Sequence, residues 1–498
     1  MVLVSTTAYV ACQSSTDDRE PAGGAGSPSG ASGAGGGGKS GASGSSGTGT
    51  GEAGEGSDPS GEAGSGGSAG EAGSGGEAGE APGGSESAGA VTFETFAFYQ
   101  PSLLFDADGV LHMAFNLNTG PSQVQYARCA ADCGVGSNWE TTIIDTHNTT
   151  GRVRMVIGTD KRLHMIYDTS DGGSASGLIY ATCASDCTDA GNWVKTELAS
   201  LFGGSWNSPS NGAPLVIDAN NRLTFTVDRK IWLNGGLTLA TCAANCSTLS
   251  NWSAGTIRSG GTRTSLAARG TTLHQLVDND TTTTDATALS YRTCSANCTN
   301  PASWQELPDM FAYDGLQATA IAVTANDEVR IVYNQGVSGA NQSAAVKAQD
   351  NKMLIWGCDA DCLDAKSWSG FSIGNAGDGA EGIAMAELGG ALVLSVTNTS
   401  RVLTRYCTEN CLVDSNWDEA IIDSTDELTA TYDPYTLTAT TCVDRPPQSA
   451  TWHLQQGAVA IRPDGALAFA HAAYLLRTCP LSSTVDYRPG YGRLVFAP

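Results

Sequence analysis

Two short apolar runs joined by a polar turn recur along the chain from about residue 100. The first copy reads PSLLFDADGVLHMAFN (101–116) and the last reads GAVAIRPDGALAFAHA (457–472). Further copies lie at 154–168, 214–228, 264–278, 319–334 and 382–397. Asp, Asn and Gly between runs of β-branched and aromatic residues are typical of hairpin turns. Each copy therefore predicts the first two strands of a small antiparallel sheet.

A second recurrent unit follows each hairpin. A short apolar segment ends in a cysteine, a second cysteine stands four residues later, and a tryptophan follows, as in YATCASDCTDAGNW (180–193). The segment before the first cysteine is predicted as a third strand, and the run after the tryptophan as a fourth. The segment YLLRTC puts Cys479 where a first cysteine belongs, so the sequence predicts seven repeats.

Seven repeats of four short antiparallel strands, without a convincing helical period, predict an all-β fold: a seven-bladed β-propeller of four-stranded blades. An array of β-sandwiches is the first alternative, but a repeat of about 57 residues is too short for a sandwich domain of about 100. A parallel β-helix is the second, but its shorter turns do not need a hairpin in every repeat.

The paired cysteines are predicted to form disulfides that staple each blade. They flank the connection between strands three and four, where a tight turn brings Cα atoms to the separation of about 5.5–6 Å that a disulfide needs. Zinc is the rival interpretation, but it needs two cysteine pairs to meet, and a propeller holds successive hairpins apart. The predicted pairs are Cys129–Cys133, Cys183–Cys187, Cys242–Cys246, Cys294–Cys298, Cys358–Cys362 and Cys407–Cys411, with Cys442–Cys479 assigned to the last repeat by elimination.

The hairpin that holds each cysteine pair resembles the Asp-box hairpin of sialidase-type (BNR repeat) propellers. The residue before the second cysteine is always Asp or Asn: Asp132, Asp186, Asn245, Asn297, Asp361 and Asn410. The resemblance implies an Asp or Asn side chain that bonds turn amides, followed by an aromatic residue. The full pattern Ser-x-Asp-x-Gly-x-Thr-Trp is absent, so a disulfide is expected to replace part of it. The resemblance covers residues from about 100 to 480 in architecture.

The chain before the repeats has a different composition. Residues 13–90 consist almost entirely of Gly, Ser, Ala, Glu and Pro, which cannot bury enough apolar surface to fold. The run before Cys12 resembles the end of a bacterial lipoprotein signal peptide, with Ala11 before the cysteine, although it lacks a basic segment and has Tyr9 where Leu is usual. The alternative is an N-terminus with a stray thiol. The predicted organisation is a signal remnant (1–12) lipidated at Cys12, a disordered linker (13–90) and a propeller (91–498), exported to the bacterial outer membrane or cell surface.

The formal net charge of −25 narrows the range of partners. A negatively charged protein repels a phosphate backbone, so no nucleic-acid partner is expected. Polybasic docking to a membrane is disfavoured for the same reason, and contact with the membrane is expected through the lipid anchor only. The sequence contains no stretch of 18 or more apolar residues, the length that could span a bilayer. We expect a monomer without cofactor or metal, with a structural cation left open.

Strand two ends in Asp or Asn in five of the repeats, and these residues are predicted to form a polar ring at the mouth of the central channel. The ring would bind sugar hydroxyls or a cation, although Asp and Asn also simply open turns. Aromatic residues in neighbouring loops could stack on a saccharide or pack within their own loops. The candidate ligand-binding residues are Asn116, Asp168, Asp228, Asp278, Asn334, Trp206, Trp232 and Tyr313.

Three histidines share one repeat position, but they belong to different blades, so packing is favoured over a metal site: His112, His164 and His274. No catalytic residue can be assigned. The resemblance to sialidases does not extend to their arginine cluster, their Tyr–Glu pair or their Arg-Ile-Pro start, and HExxH, P-loop and nucleophile-elbow motifs are absent. The favoured function is therefore a surface binding module for glycans or another cell-envelope or extracellular partner. The alternative is a sialidase-type glycoside hydrolase, since acidic loop residues are present.

Overall fold

Each repeat folds into a four-stranded antiparallel sheet, and seven such sheets are arranged in a ring. The seven-bladed β-propeller predicted from the repeats is thus confirmed. The protein is seen in a computed structural model, which describes residues 90–93, 99–117, 122–147, 149–170, 176–202, 215–228, 236–259, 264–278, 287–313, 316–335, 352–375, 382–431, 449–478 and 485–497. The predicted signal remnant, the linker and Cys12 lie outside these ranges.

The blades follow one another along the chain, and each begins with its innermost strand. Blade 1 contains β2 (Tyr99–Phe105), β3 (Leu111–Leu117), β4 (Ser122–Cys129) and β5 (Glu140–His147). Blade 2 contains β6 (Thr149–Ile157), β7 (Leu163–Ser170), β8 (Ser176–Cys183) and β9 (Val194–Glu197). Blade 3 contains β10 (Val216–Ile217), β11 (Leu223–Asp228), β12 (Gly236–Cys242) and β13 (Trp252–Ser259). Blade 4 contains β14 (Thr264–Arg269), β15 (Thr272–Asp278), β16 (Thr287–Cys294) and β17 (Gln305–Tyr313). Blade 5 contains β18 (Leu316–Val323), β19 (Val329–Gln335), β20 (Lys352–Cys358) and β21 (Trp368–Asn375). Blade 6 contains β22 (Gly382–Leu388), β23 (Ala391–Thr397), β24 (Arg401–Cys407) and β25 (Asp418–Ser424). Blade 7 contains β26 (Ser449–Ile461), β27 (Leu467–Thr478), β28 (Val485–Ala497) and β1 (Ala90–Phe93), and a short helix α1 (Thr425–Thr431) follows blade 6.

The hydrophobic core lies in the seams between blades, because side chains alternate between the two faces of each strand. In the seam between blades 1 and 2, Leu104 and Tyr126 pack with Met155 and Met165. On the other face of blade 1, larger residues meet a set of small ones from blade 7: Ala458, Ala460, Ala468 and Ala470. Both faces of a blade are therefore buried, which suits short strands that are apolar on both sides.

The ring has two distinct faces. The turns between strands one and two and the connections between strands three and four lie at one end of the blades, which we call the staple face. The connections between strands two and three and the crossovers to the next blade lie at the other end, the crossover face. Most residues of the crossover-face connections fall outside the described ranges.

Hydrogen bonds join neighbouring turns on the staple face. The Lys161 ammonium lies 2.6 Å from the Asp108 carboxylate of blade 1, and the Thr159 amide donates to the Asn221 side chain of blade 3 at 2.9 Å. The Arg269 guanidinium of blade 4 pairs with Asp327 of blade 5 at 3.0 Å. These contacts tie the ends of the blades together at this face.

Blade 7 closes the ring in a way that the repeats alone do not reveal. Its outermost strand is β1, which pairs antiparallel with β28 from Ala90 opposite Val495 to Phe93 opposite Gly492. The expectation that the segment YLLRT forms a third strand is wrong. Strand two of this blade runs on to Thr478, so YLLRT belongs to strand two rather than to strand three. Cys442 and Cys479 themselves lie outside the described residues, and their pairing stays a prediction.

All six CxxxC pairs form disulfides, with Cα–Cα distances of 5.6–5.8 Å. The first cysteine ends strand three, as expected, but the second does not begin strand four. The residue opposite Cys242 is Trp252, and the residue opposite Cys358 is Trp368. The disulfide therefore closes the first turn of a longer connection, which continues through a short 3₁₀ helix before the tryptophan.

The Asp or Asn before each second cysteine adopts a left-handed backbone conformation. The φ angles of these residues lie between 48° and 53°: Asp132, Asp186, Asn245, Asn297, Asp361 and Asn410. Asp and Asn are enriched in this conformation because their short polar side chains tolerate it. Within the six described turns, none of these side chains bonds a turn amide, so the role implied by the Asp-box resemblance is wrong.

The tryptophan of each unit fastens the connection from its far end. In all six units the indole N–H donates to the carbonyl of the second cysteine, at 2.7–3.0 Å. Several of these rings also contact the strand-three tyrosine of the preceding blade, as Trp193 does with Tyr126 at a centroid distance of 5.4 Å. The tryptophan therefore packs across the seam between neighbouring blades in these units.

Candidate functional site

The structure describes the side chains of three members of the predicted polar ring, and all three are buried. Asn116, Asp168 and Asn334 are 0%, 8% and 1% exposed. Asn334 accepts a hydrogen bond from the backbone amide of Ala318, which lies in the strand beside it. These side chains lie within the blades and their seams and do not form an open ring of acceptors.

The other predicted ligand-binding residues are described less fully. Asp228, Asp278 and Tyr313 end strands β11, β15 and β17, but their side chains are not described. Trp206 and Trp232 lie outside the described residues. Their roles in ligand binding stay predictions.

A polar cluster centred on Asp145 lies in the seam between blades 1 and 2, near the crossover-face end of β5. The Tyr167 hydroxyl of blade 2 donates to Asp145 Oδ2 at 2.7 Å. His147 Nε2 lies 3.2 Å from the same oxygen, and Lys195 Nζ lies 3.2 Å from Oδ1. We call these four residues the Asp145 cluster. Three of them are partly exposed, with side-chain exposures of 19% for Asp145, 18% for His147 and 39% for Lys195.

The charge state of the Asp145 cluster follows from its surroundings. Burial alone would raise the pKa of the Asp145 carboxyl, but hydrogen bonds from Tyr167 and His147 and the charge of Lys195 lower it below its ordinary value. Burial and the neighbouring carboxylate raise the pKa of Tyr167, so its hydroxyl stays protonated and donates. Asp145 is therefore an ionised acceptor held in place by the Tyr167 hydroxyl and by close contacts with His147 and Lys195.

Asn116 belongs to the same lateral row of blade 1 as Asp145. Asn116 lies opposite Val124, and Val124 lies opposite Asp145. Side chains of directly opposed residues point to the same face of an antiparallel sheet, so the row faces blade 2. Neither polar atom of the Asn116 side chain has a partner among the described residues.

A second cluster occupies the equivalent place between blades 6 and 7. His471 Nε2 lies 2.6 Å from Asp423 Oδ2, and Arg493 Nε lies 2.6 Å from the same oxygen. Arg493 also reaches Glu427 of α1 at 3.3 Å. Unlike the Asp145 cluster, the Asp423 and His471 side chains are 0% exposed.

Sequence reasoning missed both clusters, although a signal for the two aspartates was present. The fourth strands of repeats 1 and 6 read WETTIID and WDEAIID, and their final residues are Asp145 and Asp423. The partners Tyr167 and His471 also share one repeat position, four residues after Leu163 and Leu467. The pairing becomes visible only when neighbouring blades are placed side by side.

The three histidines at one repeat position are packed within separate blades. Nδ1 of each lies 2.6–2.7 Å from a tyrosine hydroxyl of strand three, in the pairs His112–Tyr126, His164–Tyr180 and His274–Tyr291. Within the part of the chain that the structure describes, no group of three or more His, Cys, Asp or Glu side chains is arranged to hold a metal ion. In the same part of the chain, no helix is long and apolar enough to cross a membrane.

No protein-family model matches this sequence, and no curated protein matches it. Several solved structures are similar to this chain in fold at low identity. Polysaccharide lyase Uly1 is 12% identical, with a TM-score of 0.42 over 82% of this chain and 98% of that one. The Aleuria aurantia lectin, solved with Fucalpha1-6GlcNAc, is 11% identical, with a TM-score of 0.38 over 66% and 97%. The phage phi92 endosialidase is 11% identical, with a TM-score of 0.41 over 82% and 68%. These proteins are carbohydrate-related by name, and the likeness concerns the fold alone.

Proposed function

We propose that this protein is a binding module that recognises glycans, or another polyhydroxylated partner of the cell envelope, on its crossover face. The observation that carries the proposal is the Asp145 cluster. A partly exposed, ionised carboxylate beside Lys195 and His147 offers an acceptor and donors within one site. Sugar hydroxyls both donate and accept, so they match such a mixed set.

The same cluster favours binding over hydrolysis. A glycosidase general acid needs a carboxyl whose pKa is raised. Among the described carboxyl groups with a shifted pKa, only Glu387 has a raised pKa, and burial is the cause. Glu387 lies at a staple-face turn, where it accepts a hydrogen bond from the Gly390 amide. The pKa of Asp145 is lowered, which suits a hydrogen-bond acceptor and not a proton donor.

The lipid anchor at Cys12, the exported location and the monomeric state are part of the proposal. Support for export comes from the six disulfides, since such bonds persist in oxidising compartments. Labelling of the full chain in cells with a fatty-acid probe, with and without Cys12→Ala, tests the anchor. Label that persists on the variant would contradict it.

A glycan array, run beside a panel of fluorogenic glycosides on the full chain, tests the function. We expect glycan binding without turnover, and a 10- to 100-fold loss of affinity in Asp145→Asn, because a hydrogen bond to a charged group contributes about 1.5–3 kcal/mol. Asp108→Asn is the matched control, since Asp108 is also paired with a lysine but lies on the staple face. Turnover that Asp145→Asn abolishes would support the hydrolase instead. Binding that both variants retain would place the ligand elsewhere.

A further inference from the structure

The seam between blades 6 and 7 contains buried polar groups that the proposed function does not use. Asp423 is held by His471 and Arg493, each at 2.6 Å from Oδ2. Burial alone would raise the pKa of Asp423, but the hydrogen bond from His471 and the nearby guanidinium lower it below its ordinary value. The carboxylate therefore accepts, and His471 donates through Nε2–H.

Nδ1 of His471 is left as an acceptor in this tautomer. It is buried and has no partner among the described residues. Because a neutral imidazole has one donor and one acceptor nitrogen, Nδ1 needs a donor from elsewhere in the seam.

Two hydroxyl groups of blade 6 reach the same seam. Ser395 and Thr397 are 1% and 0% exposed, and neither hydroxyl has a partner in the described part of the chain. Both approach Gly457 of blade 7: a Cβ atom added there would lie 2.7 Å from Thr397 Oγ1 and 2.9 Å from Ser395 Oγ. A side chain at 457 would therefore clash with both hydroxyl groups, and glycine allows them to lie close to the backbone of blade 7.

The strand register brings Gly457 next to His471. Ala458 lies opposite Ala470 and Gln455 lies opposite Ala472, so the bulge formed by residues 456 and 457 faces His471. The imidazole and the two hydroxyl groups thus all lie beside Gly457. Toward the staple face the seam is closed by apolar side chains, among them Val393, Val459 and Phe469.

We propose that this place is a binding site for one small neutral hydrogen-bonding molecule, an ordered water that donates to His471 Nδ1 and is shared with the Ser395 and Thr397 hydroxyls. Buried water is held where two to four polar groups converge, and three such groups lie beside Gly457. The water completes a buried chain of hydrogen bonds from Thr397 through His471 to Asp423. It joins the blade that closes the ring to the blade before it.

Stability and spectroscopy of the full chain test the proposal together. Removing a buried hydroxyl that lacks any partner stabilises a protein or leaves it unchanged, whereas removing one that is bonded destabilises it. We therefore expect Thr397→Val and Ser395→Ala each to lower Tm. In selectively ¹⁵N-histidine-labelled protein, His471 Nδ1 should show the resonance of a hydrogen-bonded acceptor, assigned by its loss in His471→Gln, and should move downfield in the double variant.

Thr404→Val is the matched control, because the Thr404 hydroxyl already donates to the Leu394 carbonyl at 3.0 Å. It should lower Tm without moving the His471 resonance. Higher Tm values in Thr397→Val and Ser395→Ala, with a Nδ1 resonance typical of a free lone pair, would overturn the proposal. So would a protonated Nδ1, since that nitrogen could not accept.

Discussion

A left-handed backbone explains why Asp or Asn precedes the second cysteine of each staple. The residue type was visible in the sequence, and the Asp-box resemblance suggested a side-chain role. In the structure the side chain bonds no turn amide, and the φ angle near 50° is the constraint. A left-handed φ cannot be read from Asp and Asn alone, because the same residues also favour turns through side-chain hydrogen bonds.

This explanation predicts the effect of substitutions at Asp186. Glycine adopts a positive φ freely, whereas a β-branched residue there is strained by roughly 1–3 kcal/mol. Asp186→Gly should therefore be close to neutral, and Asp186→Val should lower the free energy of unfolding by that amount in urea titrations. Ala184→Val, in the same turn but without positive φ, should have little effect. Equal destabilisation by Gly and Val at position 186 would contradict the explanation.

The buried histidines of blades 2 and 4 predict a dependence of stability on pH. Burial lowers the pKa of His164 and of His274 to about 4, from an ordinary value of 6.5. The unfolded chain therefore binds protons more readily than the folded protein between these values. The contribution of the two neutral histidines to the free energy of unfolding is fully present above pH 6.5. It falls as the pH drops toward 4, by about 3 kcal/mol for each histidine.

Urea unfolding of the full chain at pH 7.5 and at steps down to pH 4.5 measures this loss. The double variant His164→Gln/His274→Gln should be less stable at pH 7.5 but should show a shallower decline with acidification. A decline as steep in the variant as in the parent protein would assign the pH dependence to other groups.

At the scale of the elements, the repeat pattern predicted the hairpins, the stapled connections and six of the seven blades. Its failure in blade 7 has a physical cause. YLLRTC looks like the end of a third strand because it matches YATC in composition, but here strand two continues for 12 residues without a turn residue. An apolar run alone cannot distinguish a third strand from the extension of a second.

The staples predict a measurable contribution to stability. A disulfide that closes a loop of about five residues should contribute roughly 2 kcal/mol by restricting the unfolded chain. Cys183→Ser/Cys187→Ser should therefore lower the free energy of unfolding by about this amount, while Trp193 keeps its contact with Tyr126 of the neighbouring blade. Ser185→Ala, inside the same turn, serves as the control. An unchanged midpoint in the double variant would show that the turn needs no covalent closure.

At the scale of the whole molecule, the number of blades was predictable and the contacts between them were not. Asp145 and Tyr167 are 22 residues apart, and Asp423 and His471 are 48 apart. Each pair meets only because consecutive blades pack face to face. The burial of Asn116 and Asn334 has the same origin, because a polar residue at a strand end is exposed or buried according to its neighbouring blade. The candidate site could therefore be found only once the packing of the blades was known, whereas the ring of blades could be predicted from the repeats alone.

Closure of the ring by β1 predicts a sharp boundary for truncation. AVTF (90–93) is too short to be identified as a strand from sequence, yet it covers the outer edge of β28. Deleting residues 1–89 leaves this strand in place and should preserve the unfolding midpoint. Deleting residues 1–93 removes about four backbone hydrogen bonds, at about 0.5–1.5 kcal/mol each, and exposes a strand edge that can pair with another chain. The protein with the longer deletion should therefore lose roughly 2–6 kcal/mol of stability and should self-associate in sedimentation experiments. Equal stability of the two truncated proteins would show that β28 does not depend on β1.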